Sequence, residues 1–385
     1  MTNSTDFAFL LGSQDELAEL FSYPNTDQPQ SLQKCIEHYL NSTLKRDGFS
    51  SEDVTASIEC DGDQISVRIL APLELRPKIQ QYESVLKQFL DIGREALNGP
   101  IQELKQNSRW DPKGTGKWRF FLPLGLSMIE YRSIQFFHYP PLRLLNVYQD
   151  YLNDPVPYRW EQLLEFNGVP ASETPLYERY IDAAPIAAPD DQGAYIPVDA
   201  FTTYQRKMTE LFLNSHTTNS DYTVPIVVFG IPAMNSFEHL FYANLDILVP
   251  QTAEIVKGKK TAVLGATHPY HFYAQAQIDD TQFIGAGKLG KGWQLAELLM
   301  KQDLIAARWQ SIMSKDPTLN PGAVLNDCTA YWLDPAKNRE ICQLVQHQGS
   351  MRTFGKDDLQ FDFTKSLDAA AEFCSGHSDN PSFRA

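Results

Sequence analysis

A chain of 385 residues is long enough for two or three domains, and 43% hydrophobic content gives it material for a sizeable core. A formal charge of −15 excludes indiscriminate nucleic-acid binding, and five scattered cysteines (Cys35, Cys60, Cys328, Cys342, Cys374) with no CxxC pair exclude a disulfide framework, a zinc knuckle and a cluster site. No basic region precedes the short apolar run at the N-terminus and no apolar stretch is long enough to span a bilayer, so the expected location is cytoplasmic, with no membrane partner.

Residues 1–110 read as an α+β region. DELAELF and SLQKCIEHYLNSTL have helical spacing, VTASIECDGDQISVRILA reads as a hairpin around Asp61-Gly62-Asp63, and RPKIQQYESVLKQFLDIGREAL is a long amphipathic helix. NSRWDPKGTG, residues 107–116, has the turn residues of a linker and places a boundary near 110. From Lys117 strands alternate with helices: WRFFLPLG, RYIDAAPIA, TVPIVVFG and KKTAVLGA are the strands, and VDAFTTYQRKMTELFLN and MNSFEHLFYAN are helices. Continuous apolar strands in such an alternation predict an α/β domain over 111–312, with a central four-stranded parallel sheet covered by helices on both faces. A long helix, WQLAELLMKQDLIAARWQSIMS, closes it; residues 313–385 form a helical extension with a polar tail.

The fourth strand runs into His268-Pro269. A proline holds the residue before it out of the α region, so the imidazole projects from the strand end, where open α/β sheets bind ligands. A satisfied polar residue is the plain alternative for a lone histidine. Charge reverses sign around this strand: Lys257 to Arg308 holds seven basic residues against four acidic ones, a local balance of +3.

With these strand ends in place, residues 117–312 resemble the uracil-DNA glycosylase superfamily. The match rests on IVVFGIPA followed some thirty residues later by VLGATHPYHFY, where the family has an apolar strand and then an HPS-type motif. The family's first motif would fall at Gly125-Leu126-Ser127, and its base-reading asparagine at Asp182; Tyr270 replaces the serine of HPS. The resemblance implies a DNA glycosylase that hydrolyses the bond to a flipped base and leaves an abasic site, with DNA as partner. His268 would donate a hydrogen bond to the departing base, and Ser127 or Glu130 would position the attacking water. Phe136, Phe137 and Tyr139, with Tyr270, would line the base pocket, at the cost of unstacking a few kcal/mol that aromatic contacts partly return. A carboxylate at 182 accepts hydrogen bonds, which favours an amine-bearing base such as a modified cytosine over uracil.

Phosphates need backbone amides and positive charge, and Gly287 and Gly290 with Lys288 and Lys291 offer both before a helix. The same loop formally meets the dinucleotide fingerprint as Gly285-x-Gly287-x-x-Gly290, but only Gln282-Phe283-Ile284 precedes it, too short for a buried strand; a dinucleotide-binding oxidoreductase is therefore the remoter alternative. His268-x-x-His271 lacks a carboxylate at ligand spacing, so neither metal nor other cofactor is expected. A catalytically inactive module that binds DNA, or a protein through the acidic N-terminal region, is the nearer alternative.

Overall fold

The computed structural model describes residues 4–21, 29–50, 54–123, 125–140, 155–215, 221–275 and 291–353. Strand β1 (Ser4–Ser13) leads into helix α1 (Gln14–Leu20), where the Ser13 hydroxyl accepts from the Glu16 amide at 3.3 Å. Helix α2 (Pro29–Arg46) precedes the expected hairpin, β2 (Thr55–Asp61) and β3 (Gln64–Pro72), whose turn uses Gly62 at φ 63°. These strands form an antiparallel sheet in the order β1-β3-β2. Alternation along β3 turns Ile65, Val67, Ile69 and Ala71 inward, beneath helix α3 (Arg76–Ala96). A π-helical turn at Leu97–Ile101, containing Pro100, leads to the short α4 (Gln102–Gln106).

WRFFLPLG does not enter the parallel sheet. Only β4 (Arg119–Phe120) is a strand, paired antiparallel with β7 (Ile186–Ala187) in a two-stranded ribbon. The first strand of the central sheet is instead β5 (Ile134–Phe137), followed by α5 (Pro155–Phe166), β6 (Arg179–Asp182), α6 (Thr202–Ser215), β8 (Ile226–Phe229) and α7 (Ile231–Phe241). Strand β9 (Pro250–Ala253) then runs antiparallel to β10 (Thr261–Ala266). The result is a five-stranded, mostly parallel sheet in the order β6-β5-β8-β10-β9, one edge strand more than expected.

Strands β5, β6, β8 and β10 are buried on both faces, whereas the edge strand β9 is partly exposed. Ile134, Phe136, Ile181, Ile226, Val228 and Val263 share one core with α3, α6, α7 and the three-stranded sheet. Phe89 of α3 meets Phe212 of α6 at 6.0 Å between ring centres, and Leu122 fills the space where Gly93 lacks a side chain. One core thus contains residues from both sides of residue 110. On the opposite face Phe137, Tyr180, Phe229 and Leu264 pack against α5 and helices α9 (Lys291–Lys315), α10 (Pro321–Trp332) and α11 (Asn338–Thr353), so the C-terminal helices belong to the second core. Among the described residues no helix is long and apolar enough to cross a membrane.

Candidate functional site at the carboxyl edge of the central sheet

The last rung of the sheet places Phe137 opposite Asp182 on one side, and Phe229 opposite Ala266 on the other. Phe137 and Phe229 stack at 4.8 Å between ring centres. The chain leaves this rung at His138, Ala183, Gly230 and Thr267, so four strand exits open onto one edge. Backbone bonds hold the exits together: the Ala183 amide donates to the Phe137 carbonyl at 2.8 Å, and the Gly230 amide to the Ala266 carbonyl at 2.8 Å.

His268 stands at this edge, half-buried, in the two-residue connection from β10 to helix α8 (Pro269–Gln275). Its Nδ1 accepts from the Tyr270 amide at 3.1 Å, and its carbonyl accepts from the His271 amide at 2.9 Å. The ring thus caps the helix, and because Nδ1 is an acceptor the neutral imidazole carries its proton on Nε2. Phe137 meets the ring edge-on at 5.8 Å. Gly230 lies beneath it at φ 83°, where a Cβ would sit 3.2 Å from the His268 Cβ; the close approach and the backbone angle both require glycine.

His138, at the exit of β5, is the residue that sequence inspection does not single out. Burial pushes its pKa down to about 4, so the ring is neutral near pH 7. The legible signal was a histidine closing a short apolar run just before a Tyr-Pro pair, in the same way that His268 closes β10. The His138 ring lies 5.1 Å from that of Tyr139, and Tyr139 packs on Gly193, where a Cβ would come within 2.8 Å of its hydroxyl. The turn carrying Gly193 is tied back by Trp118, whose Nε1 donates to the Gln192 side chain at 2.6 Å.

Asp182 is buried at the end of β6, and its charge adds to burial in raising the pKa of the nearby Tyr204 hydroxyl. Tyr270 is half-buried and packs on the second core. Of the aromatic residues expected to stack on a ligand, Phe137, Tyr139 and Tyr270 lie at the edge. Phe136 does not: it points into the first core, fully buried, edge-on to Phe237 at 5.3 Å. The period of two along a strand forces this separation of neighbours onto opposite faces.

Ser127 and Glu130 are not brought to His268. They precede β5, and the Ser127 carbonyl accepts from Arg179, the first residue of β6, at 2.9 Å, which puts them at the amino end of the sheet. There the buried Asp47 carboxylate accepts from the Ser127 hydroxyl and from the amides of Met128 (3.0 Å), Ile129 (2.9 Å) and Glu130 (3.0 Å). Burial pushes the Asp47 carboxyl up, and this ring of donors pulls it back toward the ionised form. Glu130 pairs with Lys78 at 3.0 Å. Gly287, Lys288 and Gly290, and with them the dinucleotide-like pattern, lie outside the described residues, as does the side chain of Lys291 at the start of α9.

The edge therefore offers an imidazole N–H donor, a second neutral imidazole, a buried carboxylate and aromatic surface within one rung of the sheet. Among the described residues no group of three or more His, Cys, Asp or Glu side chains could hold a metal ion. Comparison with protein-family models, with curated protein sequences and with solved structures returns no match to this chain.

Proposed function

We propose that the chain is a DNA glycosylase acting at the carboxyl edge of its central sheet, as the resemblance to the uracil-DNA glycosylase superfamily implies. The observation that carries this reading is the hydrogen bond from the Tyr270 amide to His268 Nδ1, which puts the proton of the neutral ring on Nε2, beside Phe137 and Gly230. In hydrolysis, water oxygen bonds to the sugar C1′ while the N-glycosidic bond breaks and its electron pair leaves on the base. Charge on the base oxygen grows only in the transition state, where a fixed donor stabilises it most. The water oxygen now bonded to C1′ loses a proton to solvent, and the base anion takes one up from solvent.

Since β5 is the first strand of the sheet, the place of the family's first motif moves from Gly125-Leu126-Ser127 to His138-Tyr139-Pro140. His138, neutral at pH 7 and weakly basic, orients the attacking water rather than deprotonating it. Asp182 would read the base edge, and as an acceptor it favours an exocyclic amine over a uracil carbonyl. Phe137 and Tyr139 supply apolar surface for the extruded base.

A second reading, binding without cleavage, is favoured by one observation: Ser127 and Glu130 are engaged with Asp47 at the opposite edge. Mobility-shift and alkali-cleavage assays on the same modified duplexes separate the two. An enzyme leaves alkali-labile sites that disappear in His268→Ala while the mobility shift persists. Shifted DNA without labile sites from the wild-type chain would establish the binding module instead.

A further inference from the structure

Behind His268 lies a buried ion pair that reaches the proposed ligand edge through Thr267. Arg159 of α5 and Asp303 of α9 form it with side chains 0% and 1% exposed. Burying such a pair costs more hydration than its attraction reliably returns, and an apolar pair of similar volume often serves stability as well or better. Its other contacts point to a different role. The second Asp303 oxygen accepts from the Thr267 hydroxyl at 2.7 Å, and the Arg159 guanidinium lies 4.1 Å from the centre of the Phe272 ring. Thr267 is the residue before His268, and Phe272 is one turn into the helix that His268 caps. The pair therefore grips the histidine turn from both sides while joining it to two helices of the second core. His271, a further titratable group facing Asp303, lies with its ring 6.1 Å from that of His268.

We infer that Asp303, held by Arg159, is a positioning residue that fixes the His268 turn through Thr267 and so keeps the imidazole in its Nε2–H form. The inference deepens the proposed glycosylase reading, on which its catalytic consequence rests. Without the grip the turn gains freedom, the Tyr270 amide drifts from Nδ1, and the ring samples both tautomers.

The test uses the full chain labelled with ¹⁵N at its eight histidines, His268 being assigned by its loss in His268→Gln. Thr267→Val removes the hydroxyl while leaving the ion pair in place. The expected spectrum changes from a single Nε2–H tautomer to a mixture, and Thr267→Ser restores the single form. Phe272→Leu, which removes the second hold, gives an independent check and produces the same mixture. Where the wild type excises a base, kcat of Thr267→Val falls by about tenfold to a hundredfold with KM little changed, as misplacement of a reacting group predicts. A Thr267→Val chain whose His268 keeps its single tautomer overturns the inference whatever its activity. A changed tautomer with no excision by the wild type removes the glycosylase reading and leaves the grip standing.

Discussion

His138 gives the sharpest test of the electrostatics at the strand ends, because its ring must stay neutral inside the fold. Burial lowers its pKa from the ordinary 6.5 to about 4, so the unfolded chain binds a proton that the folded chain refuses between those values. The sign follows directly: stability is full above pH 6.5, and it declines as pH falls toward 4. Each tenfold change in proton affinity is worth about 1.4 kcal/mol, which gives an upper figure of about 3 kcal/mol for this window. The ring keeps part of its surface in water, and solvent screening reduces the expected loss to about 2 kcal/mol. Urea denaturation at closely spaced pH values, on the wild-type chain and on His138→Gln, isolates the effect, since glutamine keeps a polar side chain without a titrating ring. The difference between the two curves should open below pH 6.5 and level off near pH 4. Parallel curves across the whole range, or an imidazole of His138 that titrates near 6.5, would refute the reasoning.

Other consequences concern the scaffold. Asp47→Ala strips the Met128 and Ile129 amides of their acceptor, while the Ser127 hydroxyl keeps the Glu130 carbonyl and the Glu130 amide keeps the Ser127 oxygen; at about 1–3 kcal/mol per unmet buried donor it should cost about 2–6 kcal/mol in urea unfolding, and a loss under about 1 kcal/mol would mean that water replaces the carboxylate. Gly230→Ala forces an alanine to φ 83° and ψ 152° and brings its Cβ against His268, so thermal melts should register a penalty of about 1–3 kcal/mol together with a shifted His268 resonance. Arg159→Met alone leaves Asp303 buried without its partner and should cost about 3–5 kcal/mol, whereas Arg159→Met with Asp303→Leu should recover most of that; equal losses in the two would contradict a desolvated pair.

The parts of the site that are legible in the sequence are those written in local chemistry. The apolar runs at Ile226–Phe229 and Thr261–Ala266 suit a sheet covered on both faces, and proline after His268 marks where the second run must end. Strand β5 escapes because it is four residues long and includes Gln135, a residue that enters the core only by donating to the Tyr177 carbonyl at 3.0 Å. WRFFLPLG has the stronger apolar signal, yet it alternates: Trp118, Phe120 and Leu122 turn inward and Arg119 outward, as suits a ribbon at the margin of the core. The fate of Ser127 is unreadable locally because it is decided by Asp47, eighty positions earlier. Likewise nothing near His268 in sequence announces Arg159, which reaches its turn only once α5 and α9 have packed together.

The most direct test of the account follows release of free base by mass spectrometry from duplexes that carry uracil, unmodified cytosine or a series of amine-bearing modified cytosines. The expected result is free base and abasic strand in equal amounts from at least one amine-bearing duplex, with the rate reduced by about a hundredfold or more in His268→Gln. No free base from any duplex with the wild-type chain, or equal rates for the two proteins, would contradict the claim that His268 holds a departing nucleobase at this edge.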